Sequence, residues 1–222
     1  MLHTLAADWS LNMSEALSQE EIDAILKGSN IIKDESGLIA EESQALSEIC
    51  NISIGAFSEF LFSKLKKKVT IQTSGVSYLD GKNTALDLGV LQFVVSSQLS
   101  GRLAGSIFFA IKMDDVAVIN DLLMGGNGEA AEDMGDIPTQ VVLGVMKDVI
   151  PMFVEKISEV VEGKISSDTA EVFFTGEENS NLRSLISDNK MAQVVYDLDI
   201  GGVLKSKLIQ LLPMETAKEL IN

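Results

Sequence analysis

Glu48, Asn51 and Gly55 are the residues of this 222-residue chain whose types and spacing could do chemistry. They lie in the stretch Gln44-Ala45-Leu46-Ser47-Glu48-Ile49-Cys50-Asn51-Ile52-Ser53-Ile54-Gly55. On a helix, at about 100° per residue, the three fall on one face. A carboxylate and a carboxamide one turn apart then point the same way, beside a residue with no side chain. That makes a small polar device with space in front of it. One group is an anion, and the other both donates and accepts hydrogen bonds. From spacing alone the same residues also fit a solvated helix face, because Glu and Asn are usually exposed. Composition narrows the other chemistries. The chain has one cysteine, Cys50, and one histidine, His3. A disulfide framework is excluded, and a His/Cys metal site or a Ser-His-Asp triad is not expected.

Such a device needs a helix beneath it, and the sequence predicts one from about Glu41 to Lys66. Leu46, Cys50, Ile54, Phe57, Leu61 and Leu65 recur every 3–4 positions and form an apolar stripe on roughly the opposite face. Cys50 lies on that stripe and reads as a small buried hydrophobe. Residues 67–79 alternate in the β-branched manner of a strand, and Asp80-Gly81 is a turn signal. Residues 84–95 and 102–112 read as further strands. Asp114 or Asp115 is expected to cap a helix over 116–124, stopped by Gly125-Gly126-Asn127-Gly128. An acidic loop, 129–136, follows.

The pattern then begins again. Pro138 to Val161 reads as a second long helix, with a kink expected at Pro151. Glu159 to Val172 matches Ser63 to Val76 at an offset of 96, with Lys164 at the place of Lys68 and Ile165 at that of Val69. Gly201 to Leu212 matches Gly101 to Lys112 at an offset of 100, and Val194-Val195 repeats Val94-Val95. Pro213 to Ile221 matches the helix after Met113. Thr175 to Lys190 is polar and loop-like. Three matches in order imply an internal duplication with a period too long for a solenoid. The expected fold is therefore α+β, with two α/β halves related by a pseudo-twofold axis. Two long helices would pack on one central, mostly antiparallel sheet. The repeats are placed at 40–128 and 137–222. At the 96-residue offset Gly144 replaces Glu48 and Lys147 replaces Asn51, so the second helix lacks both polar groups.

Ahead of this duplicated region stands Leu17-Ser18-Gln19-Glu20-Glu21-Ile22-Asp23-Ala24-Ile25-Leu26-Lys27-Gly28. Ser18 and Glu21 form a capping box, Ile22, Ile25 and Leu26 an apolar edge, and Gly28 a stop. A helix over 17–27 is too short to be stable alone. Residues 29–41 are a polar linker, so 1–39 is expected to be a flexible segment. The short helix either packs on its own domain or is offered to a partner groove. The net charge of −16, from 33 acidic and 17 basic residues, argues against nucleic acid and against an anionic membrane surface. No apolar run reaches the ~18 residues of a membrane span, so membrane insertion is not expected. The first nine residues lack the basic start of a signal peptide. A single cysteine fits a reducing compartment.

Glu48-x-x-Asn51, on the first helix of a duplicated α/β domain, resembles the signature of the CheC/CheX/FliY phosphatases of bacterial chemotaxis. Leu17 to Leu26 resembles the N-terminal peptide with which flagellar switch proteins of the FliM and FliY kinds recruit phosphorylated CheY. The two motifs in this order point to the FliY branch, over about residues 17–222. The resemblance implies a cytoplasmic hydrolase at the C-ring of the flagellar basal body. Its substrate would be the aspartyl phosphate of CheY, and FliM, FliN and FliG would be its neighbours. Asn51 would orient the attacking water, and Glu48 would pair with a basic residue of the regulator. Leu17, Ile22, Ile25 and Leu26 would bind CheY. No cofactor of its own is implied, since Mg2+ comes with the phosphorylated CheY. One active site is expected. Gln44 stands where the family has Asp or Ser, and Ser74 where it has Pro; both are expected to weaken the site. The FliN-like domain usual in that branch is not expected within this sequence. The alternative is a non-catalytic FliM-like rotor component, whose Gly-Gly-x-Gly motif is matched by Gly125 to Gly128. Those glycines also fit a plain helix C-cap.

Overall fold

The computed structural model of the chain describes residues 37–79, 92–129, 137–174 and 190–222. The helix expected over 17–27, with Leu17, Ile22, Ile25 and Leu26, lies outside the described residues. So does the turn at Asp80-Gly81.

The first long helix, α1, runs Ala40–Leu65. Glu42 supports its start by accepting a hydrogen bond from the Ile39 N–H at 2.9 Å, and Glu41 and Glu42 place negative charge on the first turn. The six residues of its apolar stripe are all buried. Lys66 ends it in the left-handed region at φ 53. The second long helix, α3, runs Ile137–Val160 and continues through Pro151. It buries Val142, Ile150, Phe153 and Ile157, which stand 96 positions after Leu46, Ile54, Phe57 and Leu61. Glu162, 96 positions after Lys66, has φ 51. The two helices therefore share the buried stripe and the left-handed ending.

The strands are β1 (Val69–Leu79), β2 (Gln92–Gly101), β3 (Gly105–Lys112), β4 (Ile165–Ser167), β5 (Glu171–Phe174), β6 (Met191–Ile200) and β7 (Leu204–Pro213). They form one sheet in the order β1-β6-β7-β3-β2-β4, with β5 also on β2, and every pairing is antiparallel. The register carries the duplication. In the β2/β3 hairpin Val94 faces Ala110 and Val95 faces Phe109. In β6/β7, 100 positions on, Val194 faces Gln210 and Val195 faces Ile209. At the centre Phe109 faces Gln210 and Ala110 faces Ile209, two pairs that exchange under the same offset. The pseudo-twofold axis passes between them. Each half also lends its outer strand to the other: β1 pairs with β6, and β4 and β5 pair with β2.

The core lies between the sheet and the long helices. Phe57 and Phe153 pack edge to face, with ring centroids 5.7 Å apart, and Phe109 sits 4.9 and 5.2 Å from them. Two short helices complete the layer, α2 (Met113–Leu123) and α4 (Met214–Ile221). By its length and composition α1 could cross a membrane, yet its apolar stripe is committed to this core.

Several boundaries differ from expectation. Helix α2 begins at Met113 rather than 116 and has no side-chain cap; Asp114 and Asp115 sit inside its first turn, where they complement the helix dipole. Strand β2 lies later than the expected 84–95, extending to Gly101, and residues 84–91 are outside the described set. Strand β3 begins at 105 rather than 102, where Gly105 takes φ +137 hard against the Thr216 hydroxyl.

Candidate active site on helix α1

The stripe that seats α1 fixes what its other face presents. With Leu46, Cys50, Ile54 and Phe57 turned inward, Gln44, Glu48, Asn51 and Ile52 face solvent, and Gly55 is half-buried among them. A Cβ built on Gly55 would meet nothing within 4 Å, so the space in front of the pair is open. The structure thus brings Glu48 and Asn51 together, one turn apart on one exposed face.

Each of the two polar side chains has one hydrogen-bond tie. The Gln44 amide donates to Glu48 Oε1 at 3.0 Å. Gln44 thus places a neutral donor one turn before the carboxylate. Asn51 reaches off the helix, and its Oδ1 accepts from the Thr73 backbone N–H at 3.1 Å. The β1/β6 register slips at Ser74, between Thr73 and Gly75. This bulge stands beside the site, and the Ser74 hydroxyl donates to the Val195 carbonyl at 3.2 Å. Glu48 keeps Oε2 and Asn51 keeps its NH2 for whatever meets this face.

Two nearby residues carried no sequence signal. Thr73 acts through its backbone, which no residue pattern announces. Ile52 looks like part of the apolar periodicity, yet it is 57% exposed, beside Asn51. Beneath the face Cys50 is fully buried, and burial pushes its thiol up to about 12, partly offset by the neighbouring Tyr196 hydroxyl. It is a core residue, inert as a nucleophile. Among the described residues no group of three or more His, Cys, Asp or Glu is placed to hold a metal ion.

On α3 the equivalent face holds Gly144 and Lys147, both exposed. The glycine loop after α2 is built as a C-cap. Gly125 and Gly128 have φ +88 and +91, the Gly126 N–H bonds the Asp121 carbonyl, and the Gly128 N–H bonds the Asp121 carboxylate at 2.7 Å. Met124 and Val203 leave apolar surface beside it, 73% and 42% exposed.

With this pseudo-twofold α+β fold and this face on its first long helix, the chain is similar in sequence and in structure to FliY proteins. It is 29% identical over 215 residues to the flagellar motor switch phosphatase FliY of Bacillus subtilis (strain 168). That match takes in 93% of this chain and 57% of the relative, so the chain spans little more than half of that protein's length. The crystal structure of Thermotoga maritima FliY superposes with a TM-score of 0.76 at 27% identity, covering 82% of this chain and 95% of that one. The FliM middle domain from H. pylori shares the fold, with a TM-score of 0.63 at 16% identity over 83% of this chain and 98% of its own. No family model matches the chain.

Proposed function

We propose that this chain is a flagellar motor switch protein that binds phosphorylated CheY and hydrolyses its aspartyl phosphate. The observation that carries the reading is the Glu48/Asn51 pair, exposed on α1 with open space at Gly55 and set in a fold it shares with T. maritima FliY. The similarity to the B. subtilis switch phosphatase supports it.

In the reaction a water oxygen attacks phosphorus and the bond from phosphorus to the acyl oxygen breaks. The regulator's aspartate leaves as a carboxylate, and inorganic phosphate is released. The regulator brings the aspartate and the Mg2+, so this chain contributes position. Asn51 places a water in line through an uncharged group that does not repel the phosphoryl oxygens. Glu48 pairs with a cationic side chain of CheY and sets the register of docking. Ile52 adds apolar contact at the rim. Leu17, Ile22, Ile25 and Leu26 tether CheY and raise its local concentration. One active site is proposed, since Gly144 and Lys147 offer no equivalent pair. The site of action is the cytoplasmic face of the flagellar motor, in the C-ring beside FliM, FliN and FliG. The test is the decay of phosphorylated CheY with and without this protein. A rate that does not rise on adding it rejects the reading.

A second reading, a non-catalytic FliM-like rotor component, draws on one feature. Exposed Met124 and Val203 flank the glycine loop at 125–128, which suits a protein neighbour. Binding to FliG with no effect on CheY phosphate would favour it.

A further inference from the structure

Asn51 is held from outside its own helix. Strand β1 is the outer strand of the sheet. Backbone N–H groups on an outer strand that face away from the ladder need another acceptor. The Thr73 N–H has one in Asn51 Oδ1, at 3.1 Å. Immediately after it the register slips, with Thr73 opposite Tyr196 and Gly75 opposite Val195. The Ser74 hydroxyl ties the slipped residue to β6 through the Val195 carbonyl. A Cβ built on Gly75, like one on Gly55, would meet nothing within 4 Å, so the space beside the bulge is open.

We infer that the β1 bulge is a positioning device for Asn51, and that the Thr73 backbone N–H is its working part. The N–H fixes which way the carboxamide lies, oxygen toward the sheet and NH2 outward. A backbone donor cannot bond the NH2, so a flipped carboxamide would lose the tie. The consequence for catalysis rests on the phosphatase reading. The outward NH2 donates to the water or to a phosphoryl oxygen, and the second lone pair of Oδ1 remains to accept from the water. Without the tie, the carboxamide samples orientations that hold no water in line. The Thr73 hydroxyl takes no part: it is buried and has no hydrogen-bond partner.

Two substitutions at one position separate backbone from side chain. Thr73→Pro deletes the N–H, and Thr73→Val keeps it while deleting the hydroxyl. With phosphorylated CheY as substrate, Thr73→Pro is expected to lower kcat by about 2- to 12-fold, the worth of one hydrogen bond, with KM unchanged. Thr73→Val is expected to match the parent. A second measurement needs neither substrate nor the proline variant. Exchange of the Thr73 amide, followed by NMR, is expected to be slow in the parent and faster in Asn51→Ala. A folded Thr73→Pro that turns over with parental kcat overturns the inference. So does equal amide exchange in parent and Asn51→Ala. Failure of the phosphatase reading looks different: Asn51→Ala itself would then leave CheY phosphate decaying at the parental rate, and the exchange comparison would still decide whether the amide is held.

Discussion

Asn51 and Glu48 share a helix face but carry different loads, so their removal should read out differently. Asn51→Ala takes away the group proposed to hold water, and kcat toward phosphorylated CheY is expected to fall at least about tenfold. It also frees the Thr73 N–H, a hydrogen bond worth about 0.5–1.5 kcal/mol, so a small loss in urea midpoint should accompany it. Glu48→Ala removes a docking charge, so KM should rise with kcat nearly kept. Its bond to Gln44 is an exposed i,i+4 contact worth only about 0.2–0.5 kcal/mol, and stability should barely move. Stopped-flow decay of CheY phosphate separates the two effects. If Asn51→Ala matches the parent, the phosphatase reading goes. At this scale the sequence was half legible. Residue type and spacing placed Glu48 and Asn51 on one face because a helix turns by a fixed angle. Thr73 was hidden, since its part is a backbone N–H aimed by a register slip. Gln44 was legible as a departure and not as a donor, because what a long side chain bonds depends on its rotamer.

The long helices were the easiest elements to read, and the sheet the hardest. Leu46, Ile54, Phe57 and Leu61 recur with helical period and return 96 positions later as Val142, Ile150, Phe153 and Ile157, so one pattern located both stripes. Strand exchange was not readable. An offset tells which segments are alike, and says nothing about whose edge each one pairs with. The bulge at Ser74 and the break between β4 and β5 also follow from pairing. The symmetry makes a prediction for the core. Phe57→Ala and Phe153→Ala, equivalent and both fully packed against Phe109, should each cost about 3–5 kcal/mol. Chemical denaturation measures both, and a loss confined to one would mean the halves do not share the core evenly. A second prediction concerns alkali. Burial holds the Cys50 thiol up to about 12 from an ordinary 9.0, and Tyr196 is raised well above its ordinary 10.0 by the same cause. Both groups stay neutral when folded and ionise first when unfolded. Their full contribution is therefore present below about pH 9 and falls as pH rises toward 12. Cys50→Ala should flatten the first part of that decline in a series of melts, although its midpoint at neutral pH will be lower.

At the scale of the whole molecule the duplication raises the question of why one half carries the face and the other does not. Across the face that carries the site, helix α3 has Gly144 for Glu48, Lys147 for Asn51, Asp148 for Ile52 and Pro151 for Gly55, and a Cβ on Gly144 would meet open space. Helix geometry alone would let Gly144→Glu with Lys147→Asn rebuild the pair. The sheet argues otherwise. The position equivalent to Thr73 is Thr169, and it lies in the break where β4 has ended at Ser167 and β5 has not begun before Glu171. There the neighbouring Asp168 N–H bonds the Gln98 carbonyl, and Ser97 donates to the Asp168 carbonyl. The outer strand that tethers Asn51 has no continuous counterpart beside α3. In an Asn51→Ala background the rebuilt pair is therefore expected to fall short of the parental rate by at least the roughly 2- to 12-fold that the tether is worth. Gly144→Glu by itself should be stabilising, because replacing a glycine inside a helix contributes roughly 0.5–1 kcal/mol. For a chain of this size that is a rise in Tm of about 1–4 °C. A rebuilt pair that brings no gain in turnover would place the decisive difference outside those two residues, as the broken strand beside α3 leads one to expect. Turnover restored to parental level would place it in the two helix residues alone, and the Thr73 tether would then not be needed for hydrolysis.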